Sequence, residues 1–255
     1  MKFKSILVLI LCLLIAGCAS SRNNKERTRS NNARHQYNLG AFHMNQGNID
    51  EAINYYKKSL EIEPGAYQTY NALGLAYAMK GNFQEALTQF QNCLKINPRF
   101  TEARNNMAMI YQEMGQIDMA EMEYKKAIED RNYQSRENPY YNLARLYLSQ
   151  DKLDQALYHV NLAIELNNRM VLAHNLQGII YERLNRYDDA IESYKNGIRK
   201  IEGGEDNNLK FNLAVAYFKN NQYNLAKDLF LDILPKATDP EIRKQIDDYL
   251  RLINK

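Results

Sequence analysis

The 255-residue sequence contains no tryptophan and only three cysteines, at positions 12, 18 and 93. So few thiols exclude a disulfide framework. No glycine-rich phosphate loop is present, because Gly203-Gly204 lacks the strand and helix that such a loop joins. The four histidines, His35, His43, His159 and His174, share no metal-ligand spacing with one another or with a cysteine, so packing roles and no metal are expected. Paired carboxylates such as Asp188-Asp189 fall at a helix start, where they complement the helix dipole. Net charge is only +3 and no basic stripe stands out, which argues against nucleic acid as a partner. No apolar run reaches the roughly 20 residues that a membrane-spanning helix needs. These absences leave no expected catalytic site, cofactor or small-molecule substrate. What remains is ordinary for a folded chain, 45 % hydrophobic and 25 % charged, with two excesses: 19 tyrosines and 30 asparagines.

Lys2 and Lys4 precede an apolar stretch from Ile6 to Ala16, the layout of a secretory signal. Ile15-Ala16-Gly17-Cys18 closes that stretch and resembles the lipobox of bacterial lipoproteins. The resemblance implies removal of residues 1–17, a diacylglycerol on the Cys18 thiol and acylation of the new amine. Acyl chains contribute about 0.8 kcal/mol per buried CH₂, so several together hold a protein at a membrane where one would not. Ala19, rather than Asp, follows the cysteine, and by resemblance to the sorting rule of enteric bacteria this implies the periplasmic face of the outer membrane. Residues 18–32 supply almost nothing for a core and read as the lipidated cysteine followed by a flexible polar tether. Cys12 leaves with the signal and Cys18 is lipidated, so Cys93 is left as a single free thiol.

The rest of the chain repeats. Residues 37–64 realign onto 71–98 with a shift of 34, and further copies follow with two connections longer by two residues, before repeats four and six. Small residues recur at Gly40, Gly74, Ala108, Ala144, Gly178 and Ala214, where two helices must approach closely. Twelve positions later stand Ala52, Ala86, Ala120, Ala156, Ala190 and Ala226. Rings fill the spaces between, at Tyr77, Tyr111, Tyr147, Tyr181 and Tyr217 and again at Tyr56, Phe90, Tyr124, Tyr194 and Phe230, with Val160 in repeat four. Gly47, Gly81, Gly115, Asp151, Asn185 and Asn221 suit turns that need positive φ. The period and pattern resemble the tetratricopeptide repeat, a pair of antiparallel helices. The expected fold is all-α: a right-handed α-solenoid of six such repeats over 33–238. A capping helix over 239–255 follows, with Asp239-Pro240 at its start and a stripe of Ile242, Ile246, Tyr249, Leu250 and Ile253.

In this family the first helix of each repeat lines a concave face. The candidate partner-binding residues there are Tyr37 and Asn38 from repeat one, and Asn71, Leu75 and Met79 from repeat two. Repeat three offers Asn105, Asn106 and Met109, and repeat four Tyr141, Asn142 and Arg145. Repeats five and six offer Asn175 and Ile179, then Phe211 and Asn212. Seven of the twelve places at two adjacent positions are asparagine. A row of amides that both donate and accept can hold an extended peptide backbone, although asparagine here also belongs to the repeat pattern itself. The carboxylate clamp of chaperone-binding members needs lysine, asparagine and lysine where this chain has Tyr37, Ala41 and Glu102. Capture through a C-terminal carboxylate is therefore not expected.

A lipobox, a short polar tether and six repeats together resemble the pilotins of type IV pili. That resemblance implies an adaptor that binds secretin subunits through an extended or helical segment and promotes their assembly in the outer membrane. The alternative is a repeat scaffold lipoprotein for cell-envelope enzymes or outer-membrane protein assembly.

Overall fold

A computed structural model of the chain describes residues 25–202 and 204–254. The expected signal peptide and the Cys18 lipidation site lie outside the described residues. Among the described residues there are thirteen helices and no strand, an all-α repeat solenoid. The chain divides into two compact units, the first reaching Gln116 and the second running from Ile117.

The first unit holds α1 (25–45), α2 (Ile49–Ile62), α3 (Tyr67–Met79), α4 (Phe83–Ile96) and α5 (Thr101–Glu113). Residues 25–32 differ from the expected tether: they are helical and continuous with α1. Lys25, Glu26, Arg27 and Arg29 are good helix formers, and the Arg29 guanidinium donates to the carbonyl of Ile62 at the C-terminus of α2.

The second unit begins with α6 (Ile117–Glu129), α7 (Glu137–Ser149) and α8 (Leu153–Leu166). It continues through α9 (Val171–Arg183), α10 (Tyr187–Arg199), α11 (Asn207–Lys219) and α12 (Tyr223–Ile233) to α13 (Pro240–Ile253). Within each unit a helix packs on its sequence neighbours, and α3 also touches α5, α7 touches α9 and α9 touches α11.

Small-residue positions explain how the pairs close. A Cβ built on Gly74 would lie 2.6 Å from the Phe90 ring, and one on Gly178 2.4 Å from the Tyr194 ring. Ala52, Ala86, Ala120, Ala156, Ala190 and Ala226 are all fully buried, as are Phe90, Tyr194, Phe230 and Val160. Burying one large side chain of this kind contributes roughly 1.5–3 kcal/mol. The turns within repeats are made by left-handed residues: Gly47, Gly81 and Gly115, then Asp151, Asn185 and Asn221 at φ 58, 57 and 58°. Asp and Asn tolerate that conformation better than other side chains, so the switch from glycine leaves the turn intact.

Helix α13 starts as its sequence indicates. The Asp239 carboxylate accepts from the Glu241 N–H at 2.8 Å, with proline in the first turn. Ile246 is fully buried, and Ile242, Tyr249, Leu250 and Ile253 pack beside it on the core of α10–α12. Tyr249 stacks on Phe230 at 5.1 Å with the rings 9° from parallel.

Candidate partner-binding face

The first helices of the repeats are α1, α3 and α5 in one unit and α7, α9 and α11 in the other. In the first unit the asparagines bond to one another. Asn106 Nδ2 donates to Asn71 Oδ1 at 3.0 Å, and Asn71 Nδ2 donates to Glu102 Oε1 at 3.1 Å. Asn71, Asn105 and Asn106 are buried, and Asn105 Nδ2 lies 3.9 Å from Met109 Sδ. Asn38 is exposed. Leu75 is half-buried, whereas Met79 and Met109 are 62 % and 41 % exposed, which makes the two flexible thioethers the accessible apolar groups of this stretch. Tyr37 packs against Tyr56 with ring centroids 5.6 Å apart and borders an open cleft of about 520 Å³ with Arg34, Glu63 and Tyr67. Lys80 pairs with Asp50 at the margin.

The second unit repeats the amide link, with Asn212 Nδ2 donating to Asn175 Oδ1 at 2.8 Å. Asn142 is buried, Tyr141 half-buried, and the Arg145 guanidinium sits 5.9 Å from the Tyr141 ring centre. Burial pushes the Tyr141 hydroxyl up, and Arg145 partly opposes that shift. Ile179, Phe211 and Asn212 come together around a hollow of about 310 Å³, shared with Val215, Arg183, Lys219 and Tyr249. One wall is a fixed polar relay: Tyr194 Oη donates to Glu182 Oε1 at 2.6 Å, and Lys219 Nζ donates to Glu182 Oε2 at 2.7 Å. Burial and the neighbouring Glu182 carboxylate both push the Tyr194 hydroxyl well above its ordinary range, so it stays a donor.

Thus the amides are less available than the sequence suggested. The links join an asparagine at the first of the two adjacent positions to one at the second position of the next repeat, 35 residues later for Asn71–Asn106 and 37 for Asn175–Asn212. Glu102, Glu182, Lys219 and Tyr249 were not selected from the sequence. A register signal existed, since Lys219 follows Glu182 by 37 residues. The capping helix gave no sign that Tyr249 would line the same hollow as Ile179.

Three of the four histidines occupy packing positions, whereas His35 is exposed. His43 stacks on Tyr55 at 5.1 Å, His174 is buried with Nε2 3.0 Å from the Asn168 carbonyl, and His159 lies between Tyr140 and Tyr147. Among the described residues no group of three or more His, Cys, Asp or Glu could hold a metal ion. Among them, too, no helix is long and apolar enough to cross a membrane.

The first unit thus presents exposed Met79 and Met109, and the second a hollow edged by Arg183, Glu182 and Lys219. The family whose model is described as the tetratricopeptide repeat protein 21 C-terminal ARM domain matches residues 106–251, more than half of the chain. That of the tetratricopeptide repeat matches residues 31–99. The chain belongs to the tetratricopeptide-repeat family, whose fold is typically a protein-interaction scaffold.

Among solved structures, PilF of Pseudomonas aeruginosa is similar at TM-score 0.75 and 18 % identity, over 87 % of this chain and 99 % of PilF. PilW, a widely conserved type IV pilus biogenesis factor, is similar at TM-score 0.75 and 13 % identity, over 84 % of this chain and 97 % of PilW. A tetratricopeptide-repeat protein from Parabacteroides merdae reaches TM-score 0.66 at 18 % identity, over 88 % of this chain and 87 % of its own. No curated protein matches the chain in sequence.

Proposed function

We propose that the protein is a lipid-anchored adaptor on the periplasmic face of the outer membrane, which binds secretin subunits and promotes their assembly for type IV pilus biogenesis. The observation that carries this reading is fold similarity over nearly the whole of PilF and PilW, in a chain that opens with a lipobox. The comparison supports shared architecture, and the sequence of Ile15-Ala16-Gly17-Cys18 supplies the reason to place that architecture at a membrane.

Acyl chains on Cys18 confine the repeats to a thin layer, which raises the effective concentration of the binding face for a partner that inserts in the same membrane. In the first unit, accessible Met79 and Met109 suit apolar side chains of a partner; in the second, independently, the hollow beside Phe211 takes a bulky anchor edged by Arg183 and Lys219.

Deletion of the gene, followed by assay of heat-resistant secretin multimers and surface pili, tests the reading. Loss of both is expected. Unchanged multimers with altered cell shape would sink it in favour of a scaffold for envelope enzymes. Replacing Cys18 by Ser tests the anchor separately: the wild-type protein should fractionate with membranes, and the variant should not receive lipid.

A further inference from the structure

Charge is unevenly divided along the chain. The seventeen residues from Cys18 to Arg34 carry Arg22, Lys25, Arg27, Arg29 and Arg34 against the single carboxylate of Glu26, a net +4. From His35 onward the chain is net −3. The described part of this basic segment is not loose coil. Residues 25–34 form the first turns of α1, and Lys25, Arg27, Arg29 and Arg34 are all exposed. Arg29 is tied to the end of α2 through the Ile62 carbonyl, and Lys25 and Asn32 border a shallow apolar hollow with Ile62. Of the carboxylates on neighbouring elements, Glu63 shares a cleft with Arg34.

We infer that this basic neck is a second membrane contact, docking onto anionic phospholipid headgroups. The inference rests on the lipid-anchor reading, because Lys25 lies only seven residues after Cys18. Position and charge single out this occupant. Seven residues of chain span at most about 25 Å, so a cationic helix that near an acylated cysteine can reach the headgroups, and each Lys or Arg that comes within a Debye length of them, about 8–10 Å, adds to the attraction. The acidic remainder of the chain is repelled by the same surface. The neck therefore holds α1 against the bilayer, and the anchor is a lipid plus a polybasic contact rather than lipid alone.

Vesicle flotation of the mature chain carrying Cys18→Ser, which removes the acyl contribution, tests the contact. Vesicles of phosphatidylethanolamine and phosphatidylglycerol should bind it on the order of a hundredfold better than phosphatidylcholine vesicles at low salt, and roughly half-molar salt should abolish the difference. The triple variant Lys25→Glu, Arg27→Glu, Arg34→Glu spares Arg29 and should lose the preference while keeping its helical circular dichroism. Equal binding to both vesicle types, or a triple variant that still prefers anionic vesicles, overturns the inference. Self-association of the mature chain without vesicle binding overturns it as well, in favour of a second copy as the occupant. Wild-type protein that stays with cell membranes while the mature chain ignores anionic vesicles overturns the neck alone. Wild-type protein that washes free of membranes overturns the anchor instead.

Discussion

Asn106 donates through its amide to the Asn71 oxygen at 3.0 Å, joining α5 to α3, and both side chains are buried. A buried bond of this kind contributes about 0.5–1.5 kcal/mol, and leaving one partner unsatisfied costs about 1–3 kcal/mol. Asn106→Ala should therefore lower unfolding free energy by about 1–3 kcal/mol in urea titration. The double variant with Asn71→Ala should cost less than the sum of the singles. Strict additivity would show that the amides do not act as a pair.

Among the described glycines, Gly178 leaves the least room for a Cβ. Alanine normally favours a helix over glycine by about 1 kcal/mol. Here its Cβ would meet Tyr194 at 2.4 Å, and overpacking costs typically about 1–3 kcal/mol. Gly178→Ala should destabilise the second unit despite the better propensity, read as a lower thermal midpoint. Ala214 in α11 occupies the same repeat position, and Ala214→Gly should destabilise through lost propensity rather than through a clash.

His159 is half-buried among the rings of Tyr140, Tyr147 and Tyr158. Burial lowers its pKa, Lys125 lowers it further and Glu121 partly opposes them; Lys152 lies over the far neighbour Tyr147. The folded state holds the ring neutral while the unfolded chain takes a proton near its ordinary value of about 6.5. Stability from this residue is thus present above that pH and is lost as pH falls through it. His159→Phe should flatten the fall in unfolding free energy between about pH 7 and 5. An unchanged acid limb would exclude His159 as its source.

Cys93 is fully buried, and burial, with the Glu102 carboxylate adding, pushes its thiol up to about 12. The thiolate is the reactive form, so folded protein should resist alkylation at neutral pH and label quickly in denaturant. Stability from this raised pKa is complete below the unfolded thiol's value and declines as pH climbs from there toward about 12. Rapid labelling under native conditions would mean that α4 opens locally.

Arg183 is exposed, and its pairing with Asp151 at 3.4 Å is a surface contact that adds little to stability. Arg183→Glu should leave the unfolding curve in place and, on the proposed adaptor reading, weaken capture of a secretin-derived segment in a binding titration. Ile179→Ser should weaken capture as well, through the lining of the hollow, and should also lower stability because Ile179 packs on the core of the second unit. Binding by both variants at the wild-type level would move the partner site away from α9.

The helix pairs were readable because close approach and ring filling recur at fixed steps. Gly74 over Phe90 and Gly178 over Tyr194 obey the same rule that the alignment displays. The site was less readable for a physical reason. An asparagine is equally suited to a ligand and to another asparagine, and only the packed register shows that Asn71 and Asn175 each meet a neighbouring amide. Residues 25–32 misled for a related reason: a polar, charged stretch resembles a tether until Arg29 finds the end of α2.

Every helix contact described within a unit joins elements no more than two places apart in the chain. Such a chain never has to bring its ends together before its middle is stable. A chain synthesised from its N-terminus emerges in sequence order, and within each unit every helix pair can close on the one already formed. Synthesis and folding then proceed together along the chain, with little apolar surface left waiting for a late partner.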